Sequence, residues 1–180
     1  MDPLTEEKGF HIPFLGRARL RGRFLLLLLT VTFLDQLTKY IVVASLTLHQ
    51  RIELVPSLLN LTYTRNPGVA FGLLSRDGGE TLGTLLLIFS FVATCVILLL
   101  WLSSQSSGGI LPTGLTLILG GAVGNLIDRL RMGEVVDFID LHWGDLHWPA
   151  FNLADSAITV GAFMVLFRML PSSNNGRSHK

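Results

Sequence analysis

From Leu82 to Leu102 the chain runs without a single charged residue. A helix needs roughly 20 mostly apolar residues, at about 1.5 Å each, to cross the hydrocarbon of a bilayer. A soluble domain can hold such a helix only by burying it on every side, and this chain lacks the polar surface to do so. Charged residues make up 15% of its 180 residues and hydrophobic ones 49%, whereas ordinary soluble domains carry about 25% charged residues. Mean hydropathy is +0.54. This balance excludes a disordered chain, and a net charge of +1 gives no basic field for nucleic acid. The lone Cys95 excludes an internal disulfide framework. The chain reads as an integral membrane protein.

Three further segments qualify as spans. Ile110–Ile127 is uncharged and rich in glycine, whereas Phe24–Ala44 must tolerate Asp35, Gln36 and Lys39. Phe151–Leu170 must hold Asn152 and Asp155 near its start and Arg168 at its end. The expected fold class is therefore an all-α integral membrane protein, a single membrane domain over 1–180 with spans at about 24–44, 82–102, 110–127 and 151–170. Lys8, Arg17, Arg19, Arg21 and Arg23 precede the first span, and Arg168, Arg177 and Lys180 lie at the other end. The positive-inside bias places both termini in the cytoplasm, with 46–80 and 128–150 outside. Arg17–Leu34 also has the look of a signal peptide, but no small-residue cleavage site follows and the apolar pattern resumes through Ile41–Ala44. The segments 1–16 and 171–180 read as polar, frayed tails.

Three of the spans carry polar residues at helical spacing. Thr32, Asp35, Gln36 and Lys39 fall on one face of the first; Gly121, Gly124, Asn125 and Asp128 repeat the spacing in the third; Asn152, Asp155, Ser156 and Thr159 repeat it in the fourth. Ionisable groups in a membrane need a partner or a purpose, so these faces should meet in a common interior, in the outer half of the bilayer. The second span has no such stripe and should face mostly lipid. Each feature also has a plainer reading. Asp35 and Lys39 can simply neutralise one another. Gly120 and Gly124 form a close-packing GxxxG. Asn152 suits a helix N-cap, with Asp155 in the favourable first turn. Trp143 and Trp148 suit an interfacial belt, and Cys95 a small buried side chain.

The segment 133–142 sets Asp137 among apolar and β-branched neighbours, as a short strand or re-entrant piece. Two carboxylates that share a proton can hydrolyse an amide, one as base on a water and the other as acid. Asp137 and Asp155 could form such a pair, or Asp137 could merely solvate a loop. His142, Asp145 and His147 match no zinc spacing, so no metal and no cofactor is expected.

The segments Gly124-Asn125-Leu126-Ile127-Asp128-Arg129, Val135-Val136-Asp137-Phe138 and Pro149-Ala150-Phe151-Asn152-Leu153-Ala154-Asp155-Ser156 resemble the signature of the bacterial lipoprotein signal peptidases, signal peptidase II. Asp35-Gln36-Leu37-Thr38-Lys39 is similar to that family's first-span motif, and Asn66-Pro67-Gly68-Val69-Ala70-Phe71-Gly72 to its outer-loop motif, with Val69 where the family often has alanine. The likeness covers roughly 24–170 in order. It implies an aspartic endopeptidase of the bacterial inner membrane, with four spans and a small extracytoplasmic β-rich element. Its substrate would be a prolipoprotein, cut just before a diacylglyceryl-modified cysteine. By the same resemblance Asp137 and Asp155 are the catalytic pair. Asn125, Asp128, Arg129 and Asn152 support them, and Asp35, Lys39 and Asn66 stand around substrate. Globomycin-type inhibitors and membrane lipid are the other implied partners, and a monomer is expected. Asp140 and Asp145 lie close enough in sequence to shape the same site.

The main rival is a proton- or ion-coupled transporter that uses Asp35, Lys39, Asp128 and Asp155 as a relay. It needs polar groups through the full membrane depth, whereas 24–34 and 82–123 hold no ionisable side chain of that kind. A second rival is a non-enzymatic scaffold, in which Asp137 and Asp155 are dispensable as carboxylates.

Overall fold

The structure is a computed structural model and describes residues 13–68, 79–104 and 109–170. It is mostly helical, with four helices and a small antiparallel sheet in the order α1 (Pro13–Ser45), β1 (Arg51–Val55), β2 (Leu59–Asn66), α2 (Gly79–Ser104), α3 (Ile110–Met132), β3 (Val135–Trp143), β4 (Leu146–His147) and α4 (Leu153–Met169). Three helical stretches among the described residues are long and apolar enough to cross a membrane: Gly22–Ser45, Gly83–Ser104 and Ile110–Met132. With 17 residues, α4 stands at the short end of what a bilayer requires.

The elements depart from the expected boundaries at two places. α1 begins at Pro13, inside the segment read as a frayed tail; proline is preorganised for a first helical turn, and good helix formers such as Leu15 and Ala18 follow it. The cationic tail residue Lys8, the 1–12 and 171–180 tails with Arg177 and Lys180, and the motif residues from Val69 to Gly72 lie outside the described residues. α3 continues past Ile127 to Met132, because Arg129 and Arg131 complement its C-terminal dipole. Gly133 then stops it in a left-handed conformation, φ 75°, with its N–H bonded to the Arg129 carbonyl at 3.0 Å.

α3 is the central helix and packs on the other three. Its small residues permit the approach. A side chain at Gly120 would stand 3.0 Å from Val31 of α1, one at Gly121 would collide with the Ala154 carbonyl of α4, and one at Gly124 with the Asp35 carboxylate. The GxxxG pair is thus a packing seam. As expected, α2 is largely exposed on its apolar surface, and Cys95 is only half-buried rather than enclosed. At one end, Phe24, Trp101, Leu115 and Leu119 form an apolar cluster, with Trp101 Nε1 donating to Thr116 Oγ1 at 2.7 Å.

The sheet caps the opposite end in the order β1-β2-β3-β4. β2 and β3 pair with Asn60 opposite Asp140 and Thr64 opposite Asp137. Val42 and Leu46 of α1 pack against Tyr63, Val136 and Phe138, which joins the sheet to the helices. Of the segment 133–142 the structure forms a strand from Val135, which runs on to Trp143, and the two long connections meet at one end of the bundle. Trp143 and Trp148 are exposed there.

Candidate active site

Helical spacing brings the three polar stripes together. Thr32 Oγ1 donates to the Gly120 carbonyl at 3.0 Å. Two turns on, Lys39 Nζ stands 2.8 Å from Asp35 Oδ2, 2.8 Å from Asp128 Oδ2 and 2.9 Å from Asn125 Oδ1. Asp35, Lys39 and Asp128 are all buried, so the cation offsets two carboxylates that could not otherwise remain charged in an apolar bundle. Asp35 Oδ1 also accepts the Ala154 N–H at 2.9 Å, and Asp128 Oδ2 that of Val136 at 3.2 Å. Gln36 Nε2 donates to Asp128 Oδ1 at 2.9 Å and to the Gly124 carbonyl at 3.1 Å. The pairing of Asp35 with Lys39 is real, and it is one edge of a network joining α1, α3, β3 and α4.

The network ends on two further carboxylates. Asn152 caps α4, accepting the Asp155 N–H at 2.9 Å while Asp155 Oδ2 accepts the Asn152 N–H at 3.3 Å. This reciprocal capping box confirms the plain reading of both residues, but it does not exhaust them. Asn152 Nδ2 also donates to Asp137 Oδ1 at 2.8 Å and faces Asn125 Oδ1 at 3.2 Å. Asn125 Nδ2 in turn donates to Asp155 Oδ1 at 2.8 Å. Two amides therefore bridge Asp137 and Asp155, and Asn125 links that bridge to Lys39.

Asp137 is only 2% exposed. Burial, reinforced by the charge of Asp155, pushes its carboxyl up to about 6, against the hydrogen bonds from Asn66 and Asn152 and the charge of Lys39. Asn66 Nδ2 reaches Asp137 Oδ2 at 2.9 Å, and its own Oδ1 accepts the Gly68 N–H at 2.7 Å, which closes a turn after β2. Asp155 is half-buried and borders a cleft of about 500 Å³, lined by Leu141, Trp148, Phe151, Thr159 and Val160. Arg129 stands in the field of Asp155, Asp137 and Asp128, its Nε without a hydrogen-bond partner among the described residues.

A pair of bridged carboxylates, one buried and one beside an apolar cleft, can hold one proton between them and can polarise a water against an amide. All nine residues singled out in the sequence fall in or beside this site; Asn66 comes from the sheet and Arg129 stands to one side. Gln36 and the backbone N–H groups of Val136 and Ala154 were missed. Gln36 lay on the first-span stripe and could have been found, but backbone donors leave no mark in a sequence. Asp145 lies in the exposed turn between β3 and β4, and Asp140 on β3 is bonded elsewhere. Among the described residues the buried charged groups gather at the sheet end of the bundle and form no path through it.

The family model for signal peptidase II matches residues 27–171. A lipoprotein signal peptidase of Syntrophotalea carbinolica is 48% identical over 147 residues, covering 80% of this chain and 89% of that protein. One from Desulforapulum autotrophicum is 44% identical, covering 76% and 85%. Among solved structures, a bacterial membrane enzyme determined in meso at 2.3 Å superposes with a TM-score of 0.70 at 32% identity, covering 88% of this chain and 94% of that one.

Proposed function

The chain belongs to the signal peptidase II family, and on that premise we propose that Asp137 and Asp155 are the carboxylates with which it removes signal peptides from prolipoproteins. The observation that carries this reading is the amide bridge, Asp137 to Asn152 to Asn125 to Asp155. It holds two acids together where one of them, Asp137, is driven toward its protonated form near neutral pH.

With one proton shared, the ionised member takes a proton from a water whose oxygen attacks the scissile carbonyl carbon. The protonated member gives its proton to the carbonyl oxygen, forming a gem-diol. Collapse of that diol breaks the C–N bond: the leaving nitrogen takes a proton from the first carboxyl group, and one diol hydroxyl gives its proton to the second, which restores the one-proton pair. Lys39, Asp35, Asp128 and Gln36 fix the helices that carry Asn125 and Asp155. Asn66 orients Asp137, and Arg129 supplies positive charge at the edge of the site.

In this reading the protein is a multi-pass enzyme of the bacterial inner membrane, with α4 as a fourth span and both termini in the cytoplasm. The sheet and the carboxylate pair lie at the outer face. There the lipid chains of a diacylglyceryl-modified cysteine would hold the bond on its N-terminal side, and a globomycin-type inhibitor would occupy the same cleft. The test is incubation of the purified monomer in detergent with modified and unmodified prolipoprotein, with the products weighed by mass spectrometry. Release of the signal peptide from the modified precursor alone is expected. No cleavage, or equal cleavage of both, would refute it.

A further inference from the structure

Asp140 takes no part in the network above, yet it is 4% exposed and reaches each of the other three strands. Asn60 Nδ2 of β2 donates to its Oδ2 at 3.0 Å, His147 Nδ1 of β4 lies 2.8 Å from its Oδ1, and Arg51 Nε of β1 is 3.9 Å from Oδ2. Burial alone would raise this carboxyl, but hydrogen bonds from Asn60 and His147, with the charges of His147 and Arg51, hold it below the usual carboxylate range. It is thus an acceptor on both oxygens throughout the working range of pH. The His147 ring is kept in plane by His142, stacked at 4.9 Å between centroids.

What Asp140 ties together matters because of where the hairpin leads. β3 carries Asp137. The returning arm passes through β4, pairs with β3 through Trp148 N–H to the Leu141 carbonyl at 2.8 Å and Phe151 N–H to the Ile139 carbonyl at 3.0 Å, and runs straight into Asn152 and Asp155. Between those two bonds Pro149 has no N–H to give, and β4 itself is two residues long. The Phe151 carbonyl also accepts the N–H groups of Phe138 and Ile139 at 3.0 and 2.8 Å, so the ladder is firm at Phe151 and thin between Phe151 and Trp148, beside Asp140.

We propose that Asp140 is a positioning residue for the cleavage: its tie to His147 holds the two arms of the hairpin at the spacing that sets Asp137 against Asp155. The inference rests on the reading of those two carboxylates as the reacting pair. A loosened hairpin would also shift the cleft, because Leu141, Trp148 and Phe151 of its two arms line it. It would weaken the coupling between the two acids, whose apparent pKa values would then draw together.

The experiment measures kcat, KM and the pH–rate profile of His147→Leu and His147→Asn on a diacylglyceryl-modified prolipoprotein in detergent. His147→Leu removes the donor, whereas His147→Asn returns an amide N–H near the place of Nδ1. For the leucine variant the expectation is a kcat lower by about tenfold, a small misplacement being costly to in-line chemistry. KM, which also reports the cleft walls on these arms, does not decide; the two limbs of the profile should move toward each other. The asparagine variant should recover most of both effects. Each profile is taken at a temperature where thermal unfolding shows the variant folded across the whole pH range, so that its limbs report the site and not the folded fraction. A wild-type kcat and profile in His147→Leu, or no rescue by asparagine, would overturn the tie. Asp137→Asn is run beside them: if it cleaves at the wild-type rate the reading of the carboxylate pair fails, and if it is inactive a normal His147→Leu condemns the tie alone.

Discussion

Replacing Lys39 by methionine should be the most damaging single change to the stability of this protein outside its apolar packing. Methionine fills similar volume without strain, so the effect isolates the charge. Lys39 Nζ sits 2.8 Å from both Asp35 and Asp128, and all three are buried. Taking away the cation leaves two carboxylates facing one another across a low-dielectric gap. Removing one partner of a buried pair costs about 3–5 kcal/mol, and for a domain of this size each kcal/mol lowers the melting temperature by about 2–4 °C. A fall of between about 6 and 20 °C is expected in detergent. The double variant Lys39→Met/Asp128→Asn should recover more than half of it. It keeps only Asp35, which retains the Ala154 N–H and Gln36 as donors. The assay is thermal unfolding of wild type, both single variants and the double, read as a double-mutant cycle. Melting of Lys39→Met within about 3 °C of wild type, or a double variant no better than the single, would show that Lys39 is not what offsets the two acids.

Two other outcomes follow from the site. Because the Asp137 carboxyl is raised from 3.8 to about 6, the folded state holds its proton more tightly than the unfolded one. The stability it confers is complete below pH 3.8 and is lost as pH rises through 6, a change worth about 3 kcal/mol at most. The melting temperature should therefore fall between pH 4 and pH 7 by more in wild type than in Asp137→Asn, and an identical fall in both would contradict the assignment. Asn152 serves as both cap and bridge, so its two duties should separate. Asn152→Ala should lose about 1 kcal/mol of stability from the cap and nearly all cleavage. Asn152→Ser, which keeps an oxygen for the Asp155 N–H but no amide for Asp137, should regain the cap's share of the stability and not the rate. Melting and cleavage measured on the same preparations decide this.

Much of the site was legible because a helix repeats every 3.6 residues. Asp35 and Lys39, Asn125 and Asp128, Asn152 and Asp155 each fall on one face of their helix. Three polar faces in an apolar chain can only turn toward one another. The seam at Gly120 and Gly124 and the cap at Asn152 were legible for the same local reason. The sheet was less so. β1 and β2 pair locally, but β2 gains its second partner about 80 residues later, with Asn60 opposite Asp140. No local pattern announces a pairing that distant. Asp140 shows the consequence: three residues from Asp137 on one strand, it looked like a rival for the same site until its partners in the sheet were known. α3 carries Asp128 beyond the apolar run that ends at Ile127, and only the structure shows Lys39 as its countercharge.

The central claim is that two carboxylates, and not the fold alone, perform the cleavage. The most direct measurement is the turnover of a diacylglyceryl-modified prolipoprotein by Asp137→Asn and Asp155→Asn, each shown to be folded by thermal unfolding. The amide is nearly isosteric with the carboxyl but cannot pass a proton. The account predicts that both variants fold and that each loses cleavage by at least about 10³-fold. A folded variant of either residue that cleaves near the wild-type rate would contradict it.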